Sequence, residues 1–224
     1  MRENVPQVMG NLRGFMLKVP ENIYKCSGIN ILGRRIKSFL FSTDASIIRN
    51  TNAQAVIAVY PFTPQPIITQ SVMMAAEVPV LVGVGGGLTK GARVVELARH
   101  AEFQGALGVV VNAPTSNAVI YELSQVIDIP VVVTVVNESH NIQDRLNAGA
   151  KILNVSAAGK TPEIVANIRK DFPDVPIIAT GGPNDDSILK TIESGANAIT
   201  WTPPSNGEVF RDIMDHYRKG LEHP

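Results

Sequence analysis

Short apolar runs recur along this chain between two kinds of punctuation, and that repetition restricts its fold more than any other feature. In ILNVSAAGKTPEIVANIRKDFPDVPIIATGGPNDDSILKTIESGANAITWTPPS, residues 152–205, strand, helix, strand, helix and strand follow one another, each strand short and almost wholly apolar. Strands that lack polar alternation belong to a parallel sheet covered on both faces. A proline opens the strands at Pro79, Pro130 and Pro176, and a glycine follows the helices at Gly149 and Gly195. Proline has no amide to continue a helix, while glycine takes the left-handed conformation just past a helix end.

The same unit can be followed along most of the chain. Barrel strands are expected near Lys37 to Ser42, Ala55 to Tyr60, Val78 to Val84, Gly105 to Asn112 and Pro130 to Val136, with three more in the stretch above. Eight units of about 18 to 29 residues each make a small (β/α)8 barrel, a TIM barrel, in the α/β class. A doubly wound open sheet is the runner-up, and it offers no reason for eight near-equal repeats. We expect one domain over residues 1–224, with residues 1–35 as an extension. In that extension, GINILGRRIKSFLFS places apolar runs around Gly33, Arg34 and Arg35, which suits a hairpin or cap over the closed end of the barrel, its second arm being the first barrel strand. The stretch VPQVMGNLRGFMLKV is open between a short helix and an irregular lid. Asp44 is placed to cap the first helix. A closing helix, Glu208 to Leu221, is expected to bury Val209, Phe210, Ile213, Met214 and Tyr217.

Composition narrows the partners. Lys plus Arg and Asp plus Glu are equal at 20 each, so no excess charge points to nucleic acid or to an anionic membrane. A lone cysteine, Cys26, excludes an intramolecular disulfide, and the four histidines are scattered, so neither a metal site nor a cofactor is expected. With no apolar run of membrane-spanning length, a soluble cytoplasmic protein acting on a small molecule is the expectation. Apolar stretches such as Met73 to Ala76 suit self-association or core packing equally, and analogy with other barrels leads us to expect a homo-oligomer.

Chemistry in such a barrel sits at the carboxyl ends of the strands and in the loops that follow. Admissible residues are then Ser42, Asp44, Tyr60, Gly85 to Gly87, Asn112, Thr134, Glu138, His140, Asn154, Ser156, Thr180 to Gly182, Thr200 and Thr202. If the pleat turns Asn154 inward, Ile152 is inward as well, and Leu153 and Val155 face the helices. Asn112, Thr134, Thr180, Gly85 and Gly86 are candidate substrate contacts. Gly181 and Gly182 lead straight into a helix and could hold a phosphate on backbone amides, against which stand Pro183, Asp185, Asp186, Pro203 and Pro204. Glu138 and His140 are the one acid and imidazole close together at a strand end, a candidate proton-transfer pair, although a solvated helix start accounts for them more simply.

Three stretches carry a resemblance: VLVGVGGG, PVVVTVVNESHNIQDRLNAGAKILNVS and FPDVPIIATGGPNDDSILKTIESGANAI. Over somewhat more than half its length the chain resembles the 2-keto-3-deoxy-6-phosphogluconate aldolase group of phosphate-binding TIM barrels, and more distantly the sugar-phosphate epimerases. The resemblance implies the barrel and a phosphate pocket. It also implies a Schiff-base lysine on the sixth strand, where this chain has Asn154, and a glutamate on the second, where AVIAVYPF has no carboxylate. Lys151 stands too early on its strand to substitute. An enzyme acting on a small phosphorylated or carboxylated metabolite by non-Schiff-base chemistry (lyase, epimerase or hydrolase) is the first expectation, with Asn154 among its catalytic residues. A barrel that binds a metabolite for regulation or assembly is the second.

Overall fold

The computed structural model describes residues 6, 8, 10 and 16–223. Ten strands and eight α-helices are present among the described residues. An antiparallel hairpin, β1 (Ile29–Ile31) and β2 (Arg34–Ile36), comes first. Then follow β3 (Ser38–Phe41), α1 (Ala45–Arg49), β4 (Ala55–Ala58), α2 (Pro66–Ala75), β5 (Val80–Gly85), α3 (Ala92–Phe103), β6 (Gly108–Val111) and α4 (Asn117–Val126). The second half holds β7 (Val131–Val135), α5 (Ile142–Asn147), β8 (Ile152–Val155), α6 (Thr161–Asp171), β9 (Ile177–Thr180), α7 (Asp185–Glu193), β10 (Ala198–Trp201) and α8 (Asn206–Arg218). Strands β3 to β10 are all parallel, and β10 pairs with β3 to close the ring. An open sheet is thereby excluded.

The punctuation works as its chemistry requires. The carbonyls of Pro79, Pro130 and Pro176 accept from Val56, Val109 and Leu153 of the neighbouring strand, while the missing proline amide leaves no donor to satisfy. Gly149 and Gly195 sit at φ +110° and +107°, a conformation open to glycine and strained for other residues.

Alternation sorts the strand residues into two cores. Phe39, Ile57, Leu81, Val110, Val132, Ile152, Ile178 and Ala198 fill the barrel, whereas Leu40, Val56, Val109, Val133, Leu153, Val155 and Ile199 pack against the helices. Ile29, Ile31 and Ile36 of the hairpin join the inner cluster and stopper the amino-terminal end. The hairpin turns at Leu32 and Gly33, not at Gly33 to Arg35, and its second arm is a strand of its own before β3. The question of a helix or lid in VPQVMGNLRGFMLKV falls largely outside the described residues.

A further expectation is overturned. No residue of α8 is buried, and Phe210, Met214 and Tyr217 are exposed. The reason lies in residues 17–25. Leu17 and Val19 bond to Asn50 and Asn52 after α1, and the 3-10 turn Glu21–Lys25 packs beside α7, so this segment spans the arc of the helix ring that an eighth helix would close. Among the described residues no helix is long and apolar enough to cross a membrane.

Candidate active site at the barrel mouth

Extending the inward parity by two positions along each strand gives the ring at the carboxyl end: Phe41, Val59, Gly83, Asn112, Thr134, Asn154, Thr180 and Thr200. Its β3 to β5 side is apolar. Its β6 to β10 side carries two amides and three hydroxyls and no ionisable group. Asn154 is inward with Ile152 below it, as the alternation predicts.

These polar groups bond weakly to one another. Asn154 Nδ2 donates to Thr134 Oγ1 at 3.4 Å, and Thr180 Oγ1 donates to Ser156 Oγ at 3.2 Å. Asn154 Oδ1 and Thr200 Oγ1 have no partner among the described residues, although Asn154 is only 9% and Thr200 6% exposed. A buried polar atom left unbonded costs about 1–3 kcal/mol, a cost that a ligand with matching hydroxyl or amide groups removes.

Two cavities open above the β3 to β6 side of the ring. One of about 550 Å³ lies over β3, β4 and β10, where Asp44, Tyr60, Asn112 and Thr202 share its wall. Asn112 and Tyr60 also line a second, of about 270 Å³, together with Gly83, Gly85 and Gly86. Gly86, at φ +107°, lies so close to Asn112 that an added Cβ would stand 2.4 Å from the Asn112 Cβ. The glycine run thus lets β5 approach Asn112, whose amide donates to the Gly85 carbonyl.

Asp44 caps α1, as expected from its position. Its Oδ1 accepts from the Ser46 hydroxyl and from the amides of Ser46 and Ile47. The Ser46 hydroxyl, ahead of the two amides, holds this carboxyl below the ordinary carboxylate range.

Glu138 and His140 stand elsewhere. Together they line a groove of about 360 Å³ between α5 and α6, with Asn137, Asn167 and Asp171, and none of the inner ring shares it. Asn141 caps α5 beside them. Burial first, and the charge of Arg145 second, push the His140 imidazole below its usual range. Arg145 itself is spent on structure, donating to the carbonyls of Thr115 and Ala113 and to Asn117 Oδ1.

The expected phosphate cradle is largely occupied. Gly181 lies one residue past β9, yet its amide donates to Thr200 O and extends the strand pairing. The Ser187 amide at the start of α7 donates to Asn184 Oδ1 in a capping box. Gly182, with Thr180, Thr200 and Thr202, lines a further cavity of about 770 Å³ whose outer wall carries Arg211. Sequence reasoning did not find Arg211, because a charged residue on an amphipathic helix has no motif that separates a pocket wall from a solvated face.

No family model matches the chain, and no match was found among curated proteins. Solved structures do resemble it in fold. A 2,3-dimethylmalate lyase, described as a member of the PEP mutase/isocitrate lyase superfamily, superposes with a TM-score of 0.63 at 12% identity over 89% of this chain and 83% of its own. The 4-hydroxy-tetrahydrodipicolinate synthase of the methanotroph Methylacidiphilum fumariolicum SolV gives 0.58 at 14% identity, covering 82% and 73%. Dihydrodipicolinate synthase from Aquifex aeolicus gives 0.55 at 15% over 79% and 68%. At such identities the likeness is one of fold.

Proposed function

We propose that this chain is a TIM-barrel enzyme of lyase type that binds a small hydroxylated metabolite at the barrel mouth and acts on it without a Schiff base. The observation that carries this reading is the buried, unpartnered Asn154 Oδ1 on the side of the ring, β6 to β10, that otherwise consists of small hydroxyls and one further amide. Such a ring is mismatched to itself and suited to a ligand rich in hydroxyl groups. An amide cannot form an imine, so the bond-breaking step would rest on proton transfer and on hydrogen bonds to the developing oxyanion. Asn112, Thr134 and Thr200 would donate those bonds. Asp44, on the wall it shares with Asn112, would take the proton from a substrate hydroxyl. The fold likeness to a 2,3-dimethylmalate lyase supports lyase chemistry over hydrolysis or epimerisation, and kinship with the 2-keto-3-deoxy-6-phosphogluconate aldolase group remains part of this proposal.

The test is turnover over a panel of 2-hydroxy acids and sugar phosphates, using Asp44→Asn, which keeps a capping oxygen but removes the base. Loss of a proton-transfer group lowers kcat by about 10²–10⁴-fold. Unchanged turnover in Asp44→Asn would withdraw its role as base.

A second reading, a barrel that binds a metabolite and performs no chemistry, is favoured by the hydrogen bonds that already engage Asp44 Oδ1. Calorimetry showing saturable binding of a panel member, with no product formed, would select it.

A further inference from the structure

We infer that the cavity between the starts of α3 and α4 is a second ligand site, outside the barrel mouth, that takes a small free oxyanion of the size and charge of phosphate. This site stands apart from the lyase reading above and does not depend on it.

Its walls are the loops after β5 and β6, and each helix contributes its N-cap and its third residue: Gly91 and Val94 from α3, Ser116 and Val119 from α4. None of the inner ring shares it. The cavity holds about 140 Å³. A water takes about 30 Å³, so the space suits roughly five non-hydrogen atoms, the number in phosphate, and is too small for a whole sugar phosphate.

What the walls leave unbonded is mostly donors. Arg145 donates to the carbonyls of Ala113 and Thr115 and to Asn117 Oδ1, and the carbonyls of Thr89 and Gly91 accept from Gly86 and Val94. These acceptors are spent. The amides of Gly91 and Ser116, by contrast, have no partner among the described residues. Thr115 lines the cavity at 6% exposure, and its Oγ1 is likewise without a partner there. A buried hydroxyl with no bond is costly, and an acceptor brought by a ligand removes that cost. Ser116 Oγ accepts from the Val119 amide at 3.4 Å, which leaves its own proton to donate.

Charge selects the sign of the ligand. Lys90 is on the wall, and no carboxylate lines the cavity. Neither helix has an acidic residue in its first turn, whereas α7 begins with Asp185 and Asp186. A cation would face an ammonium and the positive ends of two helices; an anion meets all three favourably. Gly86 and Thr89 line both this cavity and the mouth cavity that Asn112 shares. An anion held here therefore ties the loop after β5 to the start of α4, directly behind the mouth.

The experiment follows ¹H–¹⁵N correlation spectra while inorganic phosphate is added in one arm and glycerol phosphate in the other, with sodium chloride holding ionic strength constant. Saturable shifts centred on the Gly91 and Ser116 amides are expected with phosphate, and weaker binding with the ester, whose glycerol the cavity excludes. Lys90→Glu should weaken phosphate binding by at least about ten-fold, and Thr115→Val by about five-fold or more, as loss of a hydrogen bond to a charged group requires. Lys151→Glu, at an exposed lysine before β8, should leave the affinity unchanged. Lys90 is exposed as well, so Lys90→Glu keeps the test decisive even if Thr115→Val fails to fold. No saturation with phosphate, an affinity unchanged in Lys90→Glu, or an equal loss in Lys151→Glu would overturn the site. Equal or tighter binding of the ester would overturn its assignment to a free ion.

Discussion

Asn154 Nδ2 reaches Thr134 Oγ1 at 3.4 Å across β7 and β8, and this long contact is the bond the structure gives the Asn154 amide; its Oδ1 has none. Two neighbouring strands thus hold a polar pair in register at the mouth without satisfying it. Sites that bind ligands commonly carry such a cost in the free protein.

Replacement of Asn154 by the similarly sized Leu should therefore stabilise the free protein while abolishing ligand binding. Removing a buried unsatisfied amide is worth about 1–2 kcal/mol, so the thermal midpoint is expected to rise by roughly 2–8 °C for a chain of this size. Calorimetry on both proteins without ligand checks it, and a lower midpoint for Asn154→Leu would mean that the amide is satisfied in solution.

Gly86→Ala should be costly and Gly87→Ala much less so. Both residues have positive φ, but an alanine Cβ at 86 meets Asn112 at 2.4 Å, whereas nothing lies within 4 Å at 87. Backbone strain contributes about 1–3 kcal/mol at each, and the clash with Asn112 adds to it only at 86. Urea midpoints of the two variants should separate, with Gly86→Ala the lower.

The hairpin turn should improve on Leu32→Asn. Leu32 is held at φ +46° with Gly33 at +81°, and its side chain is 65% exposed, so little packing is lost. Asn-Gly is the preferred pair for a two-residue turn with both φ positive, and relief of left-handed strain is worth about 1 kcal/mol. A urea midpoint that fails to rise would show that Leu32 packs in solution.

His140 should make stability depend on pH. Its folded pKa is depressed, by burial first and by Arg145 second. Above the unfolded-state value of about 6.5 both states are neutral, and the full stability is present. As pH falls through that value the unfolded chain takes up a proton that the folded chain refuses, so stability declines until the lower folded pKa is passed. Urea midpoints between about pH 7.5 and 5 should fall in the wild type and fall less in His140→Gln.

Cys26 should resist thiol reagents until the protein unfolds. It is 1% exposed, and burial pushes its thiol up to about 11. At pH 8 roughly one molecule in a thousand then carries the thiolate. Labelling by a disulfide reagent should require denaturant, and rapid labelling of the native chain would place Cys26 outside the core.

What the sequence determined by itself is whatever depends on neighbours along the chain. Proline and glycine punctuation, the apolar strand runs and the Asp44 cap are local, so the eight units, and with them the closed barrel, were legible. Parity is local too, which is why Asn154 and Ile152 could be turned inward together. Tertiary structure alone decided the rest. The amphipathic period of α8 marks an apolar face but not whether anything covers it, and residues 17–25 had already taken the adjoining arc of the ring. Glu138 and His140 follow the carboxyl end of β7, yet the path of their loop carries them to the groove between α5 and α6. Gly181 leads straight into a helix in the sequence, yet its amide is bonded to Thr200 of the neighbouring strand. Covering, loop direction and long-range hydrogen bonding are settled by groups far apart in sequence, and no local pattern encodes them.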